Sequence, residues 1–360
     1  MKKTLTQSML PLLLLLSPFV FLKGGEGKWE IVKTKNNIAN RGECGMAACN
    51  GKLYLLGGGD LSTEVYDPVT LTWRSKAKPP VDINHFQAVS YQNNIYVLEA
   101  FTAGRYPDQP NLKNVYIYHT DTDEWSTGGA LPAERARAAA GAALYNGKLY
   151  LVAGIQHGHS SGTTNMFDEY DPQTGNWTAL PDAPHIRDHC AAAVIKDKLY
   201  IAGGRNTSYH EPQNFMSFFK KTVLEVDCYD FKTGHWSTLA TALPLGSGGG
   251  ALVNLDNKLY YMGGERATET EPNQPRANVF WLDPATSDGW KEISSLREAR
   301  NGMSAAVLNN RIYVFGGAGP KIAPMPDGPR NDSARRQPPP PPPVEKGPQP
   351  ASPLEMFSLQ

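Results

Sequence analysis

Arginine is the residue type whose placement first invites a chemical reading. It recurs in short polar segments: Arg41-Gly42-Glu43, Arg135-Ala136-Arg137, Arg187-Asp188-His189 and Arg300-Asn301, with Asn84-His85-Phe86 as a histidine counterpart and Arg205 and Glu265 each following a Gly-Gly pair. A planar, forked guanidinium suits carboxylates and sugar hydroxyls, which it meets with parallel N–H donors. The candidate ligand-binding set is therefore Arg41, His85, Arg137, Arg187, Asp188, His189, Arg205, Glu265, Arg300 and Asn301. Any one of these arginines taken singly reads as well as a clamp, pairing with loop carboxylates and carbonyls. The cluster as a whole points to a binding surface. Among the histidines, His157-Gly158-His159 is a compact pair, and His85, His185 and His189 complete the obvious candidates. None has the ligand spacing of a zinc motif, so the expectation is no metal. Cys44, Cys49, Cys190 and Cys228 are expected to be free, mostly buried thiols.

The elements that must position these residues repeat along the chain. An aliphatic–Tyr run closed by small residues appears as GKLYLLGGG at 51–59, NNIYVLEA at 93–100, GKLYLVAG at 147–154, DKLYIAGG at 197–204, NKLYYMGG at 257–264 and NRIYVFGG at 310–317. A second run ending in Trp follows most of them, giving Trp73, Trp125, Trp177, Trp236 and Trp290, while Trp29 stands ahead of the first repeat in KWEIV. Each unit has short apolar runs divided by turn residues, so it reads as a four-stranded antiparallel meander, a to d. The Gly-Gly pair ends strand b where the backbone turns without room for side chains. Asp171-Pro172 and Thr174-Gly175 mark a tight c–d turn. One such sheet cannot bury both faces, whereas six packed radially can.

The Gly-Gly, Tyr and Trp at this spacing resemble the kelch family of β-propellers, over residues 28–319 and the last few. Glu99-Ala100 and Ala153-Gly154 are the local departures from Gly-Gly. The resemblance implies an all-β, six-bladed propeller of four-stranded antiparallel blades. The sixth blade has MSAAVLN, RIYVFGG and LEMFSL but no strand d, and KWEIV at 28–32 supplies one. The ring is therefore expected to close by an N-terminal strand d against the C-terminal strand c.

Composition agrees with many short elements joined by turns, since Gly (34) and Pro (29) are abundant in 360 residues. Lys plus Arg and Asp plus Glu are both 35, which argues against a nucleic-acid surface. Residues 1–23 read as a secretory signal: Lys2 and Lys3 precede an apolar run from Met9 to Leu22, shorter than the ~20 residues of a membrane span. Residues 24–360 then form a single propeller, secreted or periplasmic, expected to be monomeric and without a membrane span. Residues 320–353, with Pro338 to Pro343 consecutive, read as a Pro-rich disordered insertion in the b–c loop of blade six.

In such a meander the b–c loops and d–a connections share one face. The b–c loops are long, at 99–113, 155–165, 205–222, 265–277 and 318–353, while a–b turns such as Asn146-Gly147 are minimal. Function on a rigid scaffold collects on long loops. The reading is recognition of a protein or glycan ligand on that face, without catalysis. The alternative is a carbohydrate-active enzyme. Glu265 and Arg276 sit where the kelch-type sialic acid mutarotases, which the fifth loop resembles, place a Glu and an Arg, and there Glu265 would act as acid/base. A copper site like that of the galactose oxidase propeller lacks its loop cysteine here, so no cofactor is expected.

Overall fold

A computed structural model describes residues 27–59, 61–286, 288–317 and 353–359. The proposed signal and nearly all of the Pro-rich insertion lie outside them. The described residues form six antiparallel sheets. Their strands, from a to d, are Cys44–Cys49, Lys52–Gly57, Thr63–Asp67 and Thr72–Lys76 in blade 1, and Val89–Tyr91, Asn94–Val97, Tyr116–His119 and Glu124–Thr127 in blade 2. Blade 3 has Gly141–Tyr145, Lys148–His157, Ser161–Asp171 and Asn176–Leu180; blade 4 has Ala191–Ile195, Lys198–Ala202, Asp227–Asp230 and His235–Thr238. Blade 5 has Gly248–Leu255, Lys258–Arg266, Val279–Leu282 and Lys291–Glu292, with Gln274–Pro275 adding a short pairing to its strand b.

Blade 6 is built from both ends of the chain. Ser304–Leu308, Arg311–Phe315 and Glu355–Leu359 are its strands a to c, and Gly27–Ile31 is its strand d. Trp29 pairs directly with Phe357, with ring centroids 5.3 Å apart. The same cross-strand pair recurs as Trp73 on Tyr66, Trp125 on Tyr118, Trp177 on Tyr170 and Trp236 on Tyr229. Directly opposed aromatics on an antiparallel pair hold register as well as burying area. Trp290 differs from its expected place: it lies just ahead of strand d of blade 5 rather than in it.

The c–d turns are closed by aspartate. Asp67, Asp171 and Asp230 each accept a backbone N–H two residues on and, through the main chain, another four residues on. The apolar cores lie between neighbouring blades; one joins Tyr54 and Leu56 of blade 1 to Ile95 and Val97 of blade 2, and another joins Trp29 and Phe357 to Tyr260 and Trp281. Two long loops depart from the sequence reading. Residues 155–165 are mostly the ends of strands b and c, a hairpin standing above blade 3. Residues 205–222 contain a 3-10 turn, Phe215–Lys220, whose Phe218 and Phe219 are buried.

Candidate functional site

The arginines at the strand-a starts are not at the surface. Arg41, Arg137, Arg187 and Arg300 are 4%, 1%, 0% and 0% exposed, which corrects the surface position expected of them. Each donates to the carbonyl sixteen residues on, the first position of the Gly-Gly pair: Arg41 to Gly57 (3.2 Å), Arg137 to Ala153 (2.6 Å), Arg187 to Gly203 (3.1 Å) and Arg300 to Gly316 (2.9 Å). Each also meets a buried carboxylate of strand c in its own blade: Glu64, Asp168, Asp227 and Glu355 respectively. Blade 5 keeps the contact with a smaller group, Ser247 Oγ donating to Gly263 O at 2.8 Å. A carbonyl freed by the turn after strand b would be orphaned inside the blade. The arginine satisfies it and brings its own counter-charge partner, so its role here is to hold the blade together.

Two residues after each arginine position the chain forms a ring. Glu43, His85, Ala139, His189, Gly249 and Gly302 all adopt positive φ. The N–H of each bonds the carbonyl of the one before it, around the molecule: His85 to Glu43, Ala139 to His85, His189 to Ala139, Gly249 to His189, Gly302 to Gly249 and Glu43 back to Gly302, at 2.6–2.9 Å. This closed belt of six hydrogen bonds encircles the channel mouth. It fixes the side chains at four of its six positions over the axis.

Above the belt is a cavity of about 240 Å³ lined by Glu43, His85, Tyr106, Gln109, His159, Arg205, Phe218, Phe219, Glu265 and Asn301. All six blades contribute, through strand-a starts or b–c loops, on the face that the loop lengths indicated. His85, Arg205, Glu265 and Asn301 of the sequence-derived set line it, His189 lies in the belt beneath, and Asp188 supports His189. Arg41, Arg137, Arg187 and Arg300 do not line it. A wider groove of about 400 Å³ lies on the short-turn face among residues such as Lys198, Asp230, Lys232 and Asp283. Its charges pair in solvent (Lys198 with Asp230, 3.4 Å), whereas Arg205 and Glu265 of the mouth cavity are buried and pair with each other.

Arg205 bonds Glu265 at 2.7 Å and stacks over Phe219, 4.6 Å from the ring centre. Glu265 also accepts from Asn273 (2.8 Å) and Asn301 (3.0 Å). Arg276 is not its partner; it bonds Glu271 at 3.2 Å. Glu265 and Arg276 are thus held in separate pairs. Burial pushes the Glu43 carboxyl up to about 7, against the opposing pull of Arg205. Burial, with Arg205 adding, pushes His85 down to about 3. Burial likewise holds His159 and His189 well below the ordinary imidazole range. All three rings are therefore neutral at pH 7.

His159, Tyr106, Phe218, Phe219, Glu43 and Gln109 were not singled out as ligand-binding residues. His159 was visible as half of His157-Gly158-His159, but only the folded hairpin distinguishes it from His157, which projects to solvent. His185 likewise goes elsewhere, bonding Asp227 at 2.8 Å. The four cysteines are free and buried, and among the described residues no helix is long and apolar enough to cross a membrane.

Comparison with known proteins agrees with this architecture. Residues 85–317 match the model of the KLHDC2/KLHL20/DRC7 Kelch-repeats domain, and residues 40–80 match the Kelch motif. The chain is 26% identical over 308 residues to Kelch-like protein terF of Aspergillus terreus, covering 81% of this chain and 64% of that one. It is 30% identical over 273 residues to Kelch-like protein 23 of Mus musculus, covering 74% and 43%. It therefore spans less than two thirds of the length of these relatives. The solved structure titled "Structure of YjhT" superposes with a TM-score of 0.66 at 16% identity, over 79% of this chain and 92% of that one, a likeness of fold. Six blades, their closure by the two chain ends and a family match across most of the ring place this chain in the kelch-repeat β-propeller family.

Proposed function

We propose that the chain is an exported recognition propeller that binds a protein ligand, one projecting side chain or chain end entering the cavity at the channel mouth. The observation that carries this is the convergence of all six blades on one cavity of side-chain size, with aromatic walls (Tyr106, Phe218, Phe219) and a few oriented polar groups (Glu43, Gln109, Asn301). Such mixtures give contact area from the rings and orientation from the polar groups. Export rests on the apolar run behind Lys2 and Lys3 and is checked by the amino-terminal sequence of the mature protein. The propeller is read as a monomer, since ring closure needs no second chain, and light scattering of the purified protein checks this.

A glycan is the other ligand class that the polar and aromatic lining suits. Catalysis on a sugar has less support: Glu265, its acid/base candidate, is engaged by Arg205, Asn273 and Asn301. Selection of displayed peptides against the full chain, beside a glycan array, tests the reading. Selected peptides should lose at least about tenfold in affinity on Tyr106→Ala, a truncation in the range of an interface anchor, and keep it on Lys232→Ala on the opposite face. The reverse pattern would refute the loop-face site, and binding confined to glycans would replace protein by carbohydrate as the ligand.

A further inference from the structure

Three histidines from three blades meet over the propeller axis. His85 comes from the belt in blade 2, His189 from the belt in blade 4, and His159 from the tip of the blade 3 hairpin. One ring nitrogen of each lies within 4.8 Å of those of the other two. Which nitrogens these are follows from the surrounding bonds. His189 Nδ1 is 2.6 Å from Asp188 Oδ1, and Asp188 is itself fixed by Thr163 and Thr207, so Nδ1–H donates and Nε2 carries the lone pair. His85 Nδ1 is 2.7 Å from Asn84 Oδ1, which again leaves Nε2 as the basic atom. His189 Nε2 is buried with no hydrogen-bond partner. His159 presents Nε2 to His85 Nε2 at 3.3 Å, and its own Nδ1 is buried without a hydrogen-bond partner.

The three Nε2 atoms thus converge with only one contact among them, His159 to His85, while His189 Nε2 is buried with none, and a buried lone pair without a donor needs an electrophile. From these positions we infer that His85, His159 and His189 bind a divalent transition metal, Zn²⁺ or a close analogue, through their Nε2 atoms. The geometry is that of such a centre. Zn–N bonds of about 2.0–2.1 Å in a tetrahedron put ligand nitrogens about 3.3 Å apart, the separation of His85 and His159. The wider separations, all within 4.8 Å, close by small rotations of the three rings. Each belt histidine already has the outer partner that metal-bound imidazole uses, Asp188 for His189 and Asn84 for His85.

The charges around the site agree with a dication. Arg205 is neutralised by Glu265 at 2.7 Å. Asp188 behind His189 and Glu43, whose Oε1 is 3.6 Å from His85 Nε2, are left to balance two positive charges. Three imidazoles favour Zn²⁺, Cu²⁺ or Ni²⁺ over Mg²⁺ or Ca²⁺, which need oxygen ligands. The fourth position opens to the cavity beside Glu43 and Asn301, where water or a ligand atom completes the shell. This centre shares the cavity of the proposed recognition site, but metal binding by the three histidines requires no protein ligand.

The test uses the full chain stripped with chelator and titrated with Zn²⁺ against a chromogenic chelator, with Co²⁺ as a spectroscopic probe. One equivalent should bind, the Co²⁺ form should show the intense visible bands of tetrahedral nitrogen coordination, and melting temperature should rise with Zn²⁺. His159→Ala should weaken Zn²⁺ binding by at least about 100-fold, and Asp188→Asn by about 10–100-fold, the range for outer-shell partners. His157→Ala and His185→Ala should leave it unchanged. If a belt variant such as His189→Ala does not fold, His159→Gln decides the matter, because His159 lies outside the belt and loss of its side chain leaves the belt intact. Sub-stoichiometric binding to the wild-type chain, or unaltered binding in both His159 variants, would overturn the assignment.

Discussion

At the scale of the residue, the same chemistry that makes arginine a ligand-binding group makes it a fastener once it is buried. Arg187 donates to Gly203 O and Glu225 O and pairs with Asp227 at 2.7 Å. Arg187→Ala leaves Asp227 buried without its cation, so stability should fall by about 3–5 kcal/mol in urea unfolding; a fall under about 1 kcal/mol would return Arg187 to the class of surface groups. Glu99 is the opposite case, a carboxyl where four of the other blades have glycine. Burial holds its pKa well above 4.5, although Arg137 pulls it down. A raised folded-state pKa stabilises below the unfolded value and loses that contribution as pH rises through the folded value. Glu99→Gln, which cannot ionise, should therefore match the wild type near pH 4.5 and grow progressively more stable than it toward neutral and alkaline pH. A difference that does not change with pH would mean that Glu99 is not protonated in the fold.

At the scale of the element, the hairpin of blade 3 shows how a loop is positioned. His159 N–H bonds Pro107 O of the blade 2 loop at 2.7 Å. Gly158 has a φ of 55°, and a Cβ there would lie 2.0 Å from Pro107 O. Gly158→Ala must therefore displace the tip and carry His159 with it. The cost should exceed about 1 kcal/mol by thermal unfolding, as for alanine forced into an incompatible backbone, and the tip should become more protease-sensitive. Equal stability and equal cleavage would show that the tip packs otherwise. The extent of this hairpin was not legible in the sequence: GIQHGHSSGTTN lacks the alternation of a half-buried strand, and pairing of Ile155 with Thr163 and of His157 with Ser161 carries it out to the tip that holds His159.

At the scale of the whole molecule, the ring depends on its one non-local sheet. Gly27–Ile31 pairs with Glu355–Leu359, and Trp29 seals the core between blades 5 and 6. Trp29→Ala should cost about 3–5 kcal/mol, the range for emptying a large aromatic site. Removing residues 24–33 should expose the edge of strand c and give soluble aggregates by light scattering. A monomer with an unchanged melting temperature would contradict closure through this strand.

Fold class, blade number and ring closure were all present in the sequence, because each follows from local patterns: the Tyr and Gly-Gly of strand b, the Trp of strand d, and a blade short of one strand at one end of the chain and a spare strand at the other. Loop lengths likewise identified the face on which the cavity lies. The roles of single polar residues were decided only by the tertiary structure. Arg187 and Arg205 both belong to the arginine set picked out in the sequence, yet the blade's interior takes the first and the cavity the second. The belt brings His85 and His189 together across the axis, 104 positions apart in the chain. Burial, counter-charge and convergence are properties of positions in space, and spacing along the chain carries them only where the repeat itself fixes the geometry.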